Sequence, residues 1–520
     1  MRTTCPTRPI QTTLAHIAAA TLIIGAIGCG DDATTSESAT DAGTVTNAST
    51  PGTSQGPSAG TDSGSGSDSD NSGTGGASDS STGDATTGVT TGASATTGSS
   101  ATTTEDPSTT EDPSTTGTTD PGTTSDTTGT TGNPDSDSDS DSDTNGNSCN
   151  QQCGNDEWSY VWVANSGEHT VTKLNTRTLV EEGRYRTRPD NSGSPSRTSV
   201  SIDGRAVAVA NRFGGVTKIW AREEYCVDKN NDGEIQTSTG KFDVLGFDAD
   251  ECIAWHNPFS DEQVTVQRPV AWTSGVYNEE TCEYDNQEIW TMAGKLGQQQ
   301  GRCGPDGIYI YRMNGDTGEV TAQTHIPENE LSCMFGANTP GFGAYGAAVD
   351  PDNHLWFYVF GQGKIARVDH DTLEHEVFSG GSYGITVDTK GNVWDDVPRR
   401  FDYQTKQWSS PIGMIPGNGG SGVAEDLEGR IWSATQGGIG WVDMETMVVG
   451  DIVPLPGNSL YRGIGVDIDG FIWAVQLGGT TAYKVDPETY EYEFYDGLNQ
   501  PYTYSDMTGG QLNKVICVPQ

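Results

Sequence analysis

The stretch that decides the fold is Gly346-Ala347-Ala348-Val349-Asp350-Pro351-Asp352-Asn353-His354-Leu355-Trp356, and it recurs three more times along the chain. The further copies run from Gly384 to Trp394, from Gly422 to Trp432 and from Gly463 to Trp473. The four tryptophans are separated by 38, 38 and 41 residues. A fixed period near 40 residues indicates repeated supersecondary units that bury their apolar faces only by stacking on one another.

Each copy predicts strands joined by a tight turn. Apolar residues alternate before the aspartate, as in a half-buried strand. The aspartate can cap nearby backbone N–H groups, and the glycine or asparagine three residues later takes a positive φ at little cost. A second strand is centred on the tryptophan, a third ends at Val368-Asp369 in the first copy, and a fourth spans His375 to Phe378. Four short antiparallel strands in about 40 residues predict a β-propeller blade.

Three degenerate copies lie upstream, around 160–175, 200–209 and 288–311, so an all-β propeller of seven four-stranded blades is predicted; six or eight blades also fit. An open solenoid is the alternative, but Lys514–Val518 can pair with the N-terminal strand and close the ring, which removes open sheet edges. The stretches 222–266 and 327–342 exceed the length of a blade. We expect them to be loop insertions on a propeller face, within a domain that spans 148–520.

The N-terminus has the form of an export signal. Arg2 and Arg8 precede an apolar run from Leu14 to Ile27, which is too short for a comfortable membrane span. The run ends Ala26-Ile27-Gly28-Cys29 and resembles a bacterial lipoprotein signal, in which 1–28 is removed and Cys29 is lipidated. An ordinary signal peptide with an unrelated cysteine is the alternative. Because Gly30 replaces the aspartate that retains such proteins at the inner membrane, the resemblance implies the outer membrane or cell surface of a Gram-negative bacterium.

Residues 29–147 form an acidic linker of low complexity. From residue 30 on they hold 20 carboxylates and no lysine, arginine, leucine, isoleucine or aromatic residue. Such a segment cannot bury enough apolar surface to offset its ordering entropy, so we predict a disordered stalk with a root-mean-square span of ~60 Å. Diffuse Ca²⁺ binding by the alternating aspartates from Asp135 to Asp143 is the alternative, but we expect them to form a solvated acidic spacer.

The charge of the chain excludes one class of partner. It has 72 acidic and 28 basic residues and a formal net charge of −44. Such a balance repels nucleic acid and anionic membrane surfaces. We therefore expect a monomer that meets the membrane only through its lipid.

The cysteines predict disulfides. The predicted folded region contains Cys149, Cys153, Cys226, Cys252, Cys282, Cys303, Cys333 and Cys517. An even number of cysteines after an export signal is typical of a disulfide framework. Zinc is the alternative, but neither a Cys-x-x-Cys pair nor a histidine pair at ligand spacing occurs. Local spacing favours Cys226–Cys252 and Cys282–Cys303, and Cys517 can pair with Cys149 or Cys153.

One short motif predicts a structural calcium ion. Its residues are Asp228, Asn230, Asp232, Gly233 and Glu234. They match the first half of an EF-hand loop, in which oxygens at positions 1, 3 and 5 and the carbonyl at position 7 surround one hard cation. Position 12 is Thr239 instead of glutamate, so Glu223, Asp243 or Asp248 would have to complete the shell. An Asx-turn hairpin without metal is the alternative.

The repeat resembles the blades of the virginiamycin B lyase-like (streptogramin lyase) propeller family, well over 346–490 and loosely over 158–325. The resemblance implies a propeller and, as one function, a lyase with a histidine directly before the blade glycine and a glutamate three residues after the tryptophan. The residues here at the first position are Tyr345, Tyr383, Ser421 and Arg462. Those at the second position are Val359, Val397, Thr435 and Gln476. Neither catalytic residue of the family is present at these positions.

Tyr345, Tyr383, Ser421 and Arg462 begin the innermost strands, so they are predicted to line the mouth of the central channel and to contact a ligand. The alternative is that they only pack between blades. The resulting hypothesis is a lipid-anchored, exported propeller that binds a protein, a glycan or a small ligand. A propeller enzyme of the lyase or lactonase kind is the alternative, and a converging set of His, Glu and Asp at the channel mouth would favour it.

The lipid anchor can be tested directly. The Cys29→Ser variant should leave the membrane fraction, because the acyl chains are the only strong membrane anchor that the sequence predicts. Fractionation of cells expressing the parent and the variant measures this. A variant that still sediments with membranes like the parent would disprove the anchor.

Overall fold

The computed structural model of the protein describes residues 159–260, 263–278, 280–281, 283–297, 299–336, 338–415, 420–457, 460–504 and 506–512. The predicted signal peptide, Cys29 and the acidic linker lie outside these residues. Of the eight cysteines of the predicted folded region, Cys149, Cys153, Cys282 and Cys517 lie outside them. The predicted closing strand Lys514–Val518 also lies outside.

The described residues form an all-β propeller, as predicted. Their strands pair antiparallel within each blade, and seven blades surround one axis, so the predicted blade number is confirmed. Two short 3-10 helices, Glu223–Tyr225 and Phe247–Ala249, lie in a connection of blade 2. Among the described residues, no helix is long and apolar enough to cross a membrane.

The first three blades come from the degenerate half of the chain. Blade 1 contains β1 (Tyr160–Asn165), β2 (Thr170–Asn175) and β3 (Glu181–Arg186). Blade 2 contains β4 (Pro195–Val200), β5 (Ala206–Asn211), β6 (Val216–Trp220) and β7 (Ile253–Asn257). The blade 3 region contains β8 (Val264–Thr265), β9 (Val270–Trp272), β10 (Val276–Asn278), β11 (Glu283–Asp285), β12 (Glu288–Lys295), β13 (Ile308–Asn314) and β14 (Val320–Ile326). In that region β9, β12, β13 and β14 form the blade, β8 pairs with the end of β12, and β10 and β11 form a separate hairpin.

The last four blades carry the clear repeats. Blade 4 contains β15 (Ala344–Val349), β16 (Leu355–Val359), β17 (Lys364–Val368) and β18 (His375–Ser379). Blade 5 contains β19 (Ile385–Val387), β20 (Val393–Asp395), β21 (Arg400–Asp402) and β22 (Gln407–Ser409). Blade 6 contains β23 (Val423–Glu425), β24 (Arg430–Thr435), β25 (Gly438–Asp443) and β26 (Val449–Pro454). Blade 7 contains β27 (Tyr461–Val466), β28 (Ile472–Gln476), β29 (Thr481–Val485) and β30 (Tyr492–Asp496).

Each clear repeat contains a hydrogen bond between the turn aspartate and the tryptophan six residues later. The indole N–H donates to the aspartate Oδ2 over 2.7–3.0 Å. The pairs are Trp356–Asp350, Trp394–Asp388, Trp432–Asp426 and Trp473–Asp467. The Oδ1 atom accepts the backbone N–H groups two and four residues later, at 2.8–3.1 Å. The predicted capping is therefore confirmed, and the indole bond adds to it a link from the turn to the blade core.

The glycine that opens each repeat is required by close approach at the axis. A Cβ on Gly384 would collide with the backbone oxygen of Ser421 in the next blade. A Cβ on Gly422 would lie 3.1 Å from both the Ile464 nitrogen and the Tyr504 Cβ. Because a side chain at this position would push neighbouring innermost strands apart, glycine keeps the ring narrow.

The end of the described chain closes the ring. The Tyr502 N–H donates to the Ala164 carbonyl at 3.1 Å, and the Trp162 N–H donates to the Met507 carbonyl at 2.9 Å. We call Pro501–Tyr504 with Asp506 and Met507 the closing segment. Among the described residues, this segment takes the innermost place beside β1 that the sequence suggested for Lys514–Val518.

The two long connections lie on opposite faces of the ring. The first, 221–252, joins β6 to β7 on the face of the aspartate turns, so β7 lies inside the predicted insertion 222–266. The second connection, which includes the predicted insertion 327–342, joins β14 to β15 on the face where the innermost strands begin. The predicted Cys226–Cys252 disulfide is confirmed, and it joins the two ends of the first connection.

The predicted Cys282–Cys303 disulfide is wrong, because Cys303 bonds Cys333. The second connection folds back on the β12–β13 loop, where Cys303 and Gly341 exchange backbone hydrogen bonds of 3.0 and 3.2 Å. Sequence proximity favoured Cys282, but this fold-back brings a cysteine 30 residues away to the same place.

The aspartate–indole bond should contribute strongly to stability. Asp388→Ala leaves the buried Trp394 indole and two backbone N–H groups without their acceptor, so we expect a loss of about 3 kcal/mol in the free energy of unfolding. Asp402→Ala, which removes an exposed turn aspartate of the same blade, is the matched control and should cost much less. Urea denaturation of both variants measures the difference. Equal losses would show that the indole bond is not important for stability.

Candidate functional site: an arginine–tyrosine cluster in the channel

Three of the four predicted channel residues converge around the axis. The Tyr345 and Tyr383 rings have centroids 4.7 Å apart, and the Arg462 guanidinium lies 4.7 Å from the centroid of the Tyr383 ring. Ser421 is buried beside them and donates from Oγ to the Gly422 carbonyl at 2.9 Å. The structure therefore places these side chains in the channel, where they contact one another across blades.

Four further residues belong to the same cluster: Arg197, Arg268, Tyr502 and Tyr504. Arg197 lies 5.4 Å from the Tyr345 ring centroid and directly over the Tyr504 ring. Arg268 lies 4.8 Å from the Tyr345 ring centroid. The Tyr383 and Tyr502 hydroxyls are hydrogen-bonded to each other. Together these seven residues, with Ser421, form what we call the channel cluster.

The sequence offered a partial signal for the missed arginines. Arg268 holds the same place in blade 3 as Tyr345 in blade 4, since Trp272 and Val349 are the last paired residues of their strands before the turn. Arg197 pairs with Ala210 and lies three residues before Val200, the last paired residue of its strand. Gly463 lies three residues before Val466, the last paired residue of the innermost strand of blade 7. Arg197 therefore occupies the position of the repeat glycine. Blades 2 and 3 lack the aspartate–tryptophan repeat, so this register could not be read from the sequence.

Asp396, whose charge acts on Arg462, and Asp506, in the closing segment, are both buried, and both carboxylates accept backbone N–H groups. Asp396 Oδ2 accepts from Gly420 and, at 3.2 Å, from Ser421. Asp506 accepts from the N–H groups of Gln511 and Leu512 at 3.2 and 3.3 Å. Burial raises the pKa of Asp396, and it raises the pKa of Asp506 to about 6.

The channel is closed at the face of the aspartate turns. Thr508 Oγ1 donates to the Val466 carbonyl at the end of β27, at 2.6 Å, and the chain continues past the ends of the innermost strands to buried Leu512. A cavity of about 10 Å³ remains between this segment and Trp272, which is roughly the space of one water molecule. This segment therefore separates the channel from solvent at that face.

The described histidines lie outside the innermost strands. His169 lies in the β1–β2 loop, His256 in β7, His325 in β14, and the rest in blade 4 outside β15. The Trp-plus-three positions are Val359, Val397, Thr435 and Gln476, as the sequence shows. The channel cluster thus consists of arginine, tyrosine and Ser421, and no histidine of the described residues belongs to it.

The predicted calcium residues form a compact loop in the first connection. Asp228 accepts the N–H groups of Asn231 at 2.6 Å and Gly233 at 2.9 Å. Asn230 Oδ1 accepts the Asp232 N–H at 2.8 Å, and Asp232 accepts the Glu234 N–H at 3.0 Å. This arrangement agrees equally with the calcium loop and with the Asx-turn alternative, so the metal stays a prediction.

The carboxylate that contacts the calcium loop is that of Glu251, which is not among the residues proposed from the sequence to complete the shell. Glu251 Oε1 accepts the Lys229 N–H at 2.8 Å, and its Oε2 accepts the Gln236 N–H at 2.9 Å. Glu251 is buried, which fixes both ends of the loop to the base of the first connection. It is twelve residues beyond Thr239, so the EF-hand spacing could not indicate it.

A second cleft, of about 930 Å³, lies between blade 1 and the first connection. Lys173 lines it, donates from Nζ to the Ala221 carbonyl at 2.8 Å and lies 5.1 Å from the Tyr160 ring centroid. Burial lowers the pKa of Lys173 to about 8. The cleft walls carry both acidic and basic side chains, so they select no single ligand charge.

Among the described residues, Asp350, Asp352 and His354 bring three possible metal-binding atoms within 4.8 Å of one another. Asp350 already accepts the Trp356 indole and the backbone N–H groups of Asp352 and His354. These bonds belong to the repeat turn, so this set is explained by the fold.

Neither a protein-family profile nor a curated protein sequence matches this chain. A catalytically inactive virginiamycin B lyase from Staphylococcus aureus with quinupristin is similar in structure, at 15% identity over 58% of this chain and 84% of that chain, with a TM-score of 0.37. A candidate 6-phosphogluconolactonase from Bacteroides uniformis is 11% identical over 66% and 98% of the two chains, with a TM-score of 0.44. The dihydro-heme d1 dehydrogenase NirN is 11% identical over 69% and 76%, with a TM-score of 0.39. At these identities and TM-scores the comparisons say nothing about function, and the propeller fold rests on the strand order of this chain itself.

Calcium should stabilise the full chain if the loop binds it. The melting temperature should rise between chelator and several millimolar calcium, following RT ln(1 + [Ca]/Kd), with a Kd on the order of 10⁻⁴–10⁻³ M because position 12 lacks glutamate. Asp228→Ala with Asp232→Ala should abolish this rise and keep the fold, since the loop lies outside the blades.

The matched control is Glu319→Ala with Glu374→Ala, which removes two exposed carboxylates elsewhere and should keep the response. Calorimetry of the three proteins measures it. If calcium does not shift the melting temperature of the parent, the predicted site does not exist.

Proposed function

We propose that the protein is an exported binding propeller, held at the outer membrane or cell surface by lipid on Cys29 and carried on the 29–147 stalk. Its ligand, a protein, a glycan or a small molecule, would enter the channel from the face where the innermost strands begin. The observation that carries the proposal is the convergence of Arg197, Arg268 and Arg462 with Tyr345, Tyr383 and the two tyrosines of the closing segment.

The composition of the channel cluster is typical of binding. Tyrosine and arginine offer large contact areas and several hydrogen bonds, and both are enriched where proteins recognise partners. The alternative, an enzyme of the lyase or lactonase kind, requires a base that titrates near neutral pH. Burial raises the pKa of Tyr383 well above its ordinary value, so this hydroxyl stays protonated. The described channel residues thus favour recognition over proton abstraction.

The disulfides support export. Cys226–Cys252 closes the first connection and Cys303–Cys333 ties the second connection to the β12–β13 loop, and such bonds persist in oxidising compartments. The strongly acidic chain supports a soluble head that stays clear of anionic lipid and nucleic acid, and we propose that this head acts as a monomer.

A ligand screen on the detergent-solubilised full chain tests the proposal. We expect at least one compound from a library of oligosaccharides, peptides and small metabolites to raise the melting temperature, and Tyr383→Ala to abolish that rise. Tyr403→Ala, which removes a tyrosine on the outer part of blade 5, is the matched control and should leave binding unchanged.

Mass spectrometry of the recovered compound separates binding from catalysis. An unchanged mass supports a binding protein, whereas a changed mass, for a hit or for added quinupristin, would establish the enzyme alternative. Hits that bind Tyr383→Ala as well as the parent would show that the channel is not the site.

A further inference from the structure

Arg197 is a fully buried cation, with an exposed fraction of 0%, and its charge is not matched by a carboxylate of the described residues. Its Nε donates to the Tyr345 carbonyl at 2.9 Å, and its Nη1 donates to the Ser196 carbonyl at 2.8 Å. The Nη2 atom is buried and finds no acceptor in the described part of the chain. Both acceptors of Arg197 are therefore neutral, and one of its donor groups remains unused.

A buried charge ordinarily has an ionic partner, because removing an ion from water is costly. The Tyr345 and Tyr504 rings offset part of this cost through cation–π contact. Burial, and the neighbouring Arg268 as a weaker cause, lower the pKa of Arg197 below its usual range. The arrangement is consistent with a site in which an anion from outside the chain balances the positive charge of Arg197.

The other arginine side chains of the channel cluster add positive charge to that of Arg197. Arg268 lies near the same Tyr345 ring, and Arg462 lies against Tyr383. Two carboxylates, Asp396 near Arg462 and Asp506 in the closing segment, stand against these three guanidinium groups; both accept backbone N–H groups, and burial raises the pKa of each. The centre of the channel thus has an excess of positive charge inside a protein whose total charge is −44.

We propose that the channel cluster binds an oxyanion group of the ligand, a carboxylate, sulfate or phosphate, through Arg197 Nη2, with Arg268 and Arg462 supplying further positive charge. This inference rests on the proposed function and names the class of its ligand. Guanidinium groups match oxyanions in geometry as well as in charge, since their N–H groups lie in one plane. The buried Tyr504 hydroxyl, which also finds no partner among the described residues, supplies a second donor.

The rest of the ligand would lie toward the open face. Tyr502, Arg462 and Tyr383 are 6–8% exposed, whereas Arg197 and Tyr504 are at most 1% exposed, so the first three form the solvent side of the cluster. The Tyr383–Tyr502 hydroxyl pair must separate for an anion to reach Arg197. The acidic outer surface does not prevent entry, because charges more than about 8 Å apart in water are largely screened at physiological salt.

Titration calorimetry with simple anions tests the inference on the detergent-solubilised full chain. Sodium phosphate, sodium sulfate and sodium acetate are titrated separately, with sodium chloride at matched ionic strength as reference. We expect one site per chain for at least one oxyanion, and the preferred anion identifies the ligand group. Arg197→Met should weaken binding about ten- to hundredfold, which is the contribution of a hydrogen bond to a charged group.

Arg177→Gln is the matched control, since Arg177 pairs with Asp469 on the surface and should leave anion binding unchanged. Circular dichroism checks the fold of each variant. If Arg197→Met does not fold, Arg462→Met at the solvent side of the cluster provides the test and should also weaken binding. Parent protein without oxyanion binding, or an unchanged affinity in the folded arginine variants, would overturn the inference.

The outcomes separate this inference from the proposed function. A neutral ligand that needs Tyr383, with no binding or competition by the three oxyanions, would overturn the oxyanion site and leave the binding propeller intact. If neither the library nor the anions bind, both proposals are wrong.

Discussion

The hydrogen bond between the turn aspartate and the buried tryptophan is the interaction on which the regular half of the ring depends. One carboxylate oxygen holds the turn, and the other holds the indole that packs between blades. A buried indole N–H requires an acceptor, and a buried carboxylate requires donors. The hydrogen bond between them therefore offsets the free-energy cost of removing both groups from water. The same aspartate thus holds the turn and positions the tryptophan that packs between blades, and this pair recurs in each clear repeat.

The degenerate half of the ring uses other contacts for the same purpose. The Trp290 indole of blade 3 donates to the Asn353 carbonyl in the turn of blade 4, at 3.1 Å, so it contacts the neighbouring blade instead of its own turn. Lys218 of blade 2 reaches the Gly315 carbonyl of blade 3 at 2.9 Å. These bonds are specific to one place in the ring, which explains why their sequences diverge from the repeat while the blade geometry is kept.

The ring creates the channel cluster as a consequence of its closure. Each innermost strand delivers one or two side chains to the axis, and glycines such as Gly384 and Gly422 let those strands approach closely. Arginine and tyrosine side chains from blades 1 to 5 and 7 then meet where they could not meet within one blade. The first connection, with its predicted calcium loop, lies on the face of the aspartate turns, away from the face where the innermost strands begin.

The architecture and part of the channel cluster can be predicted from the amino-acid sequence. The 38-residue spacing of tryptophans gave the blade, the degenerate copies gave the number seven, and the place before the repeat glycine indicated Tyr345 and Tyr383. These features are local or periodic, and local turn chemistry and strand alternation follow from neighbouring residues.

The contacts that residues make across the ring follow from the three-dimensional fold and could not be predicted from the repeat. Arg197 enters the cluster at a glycine position, Cys303 bonds Cys333 because a connection folds back, and the closing segment reaches β1 from the far end of the described chain. Each of these features depends on contacts between residues that are distant in sequence. The period of the repeat does not indicate which distant residues come into contact. The physical reason is that closure of the ring, not local propensity, sets those distances.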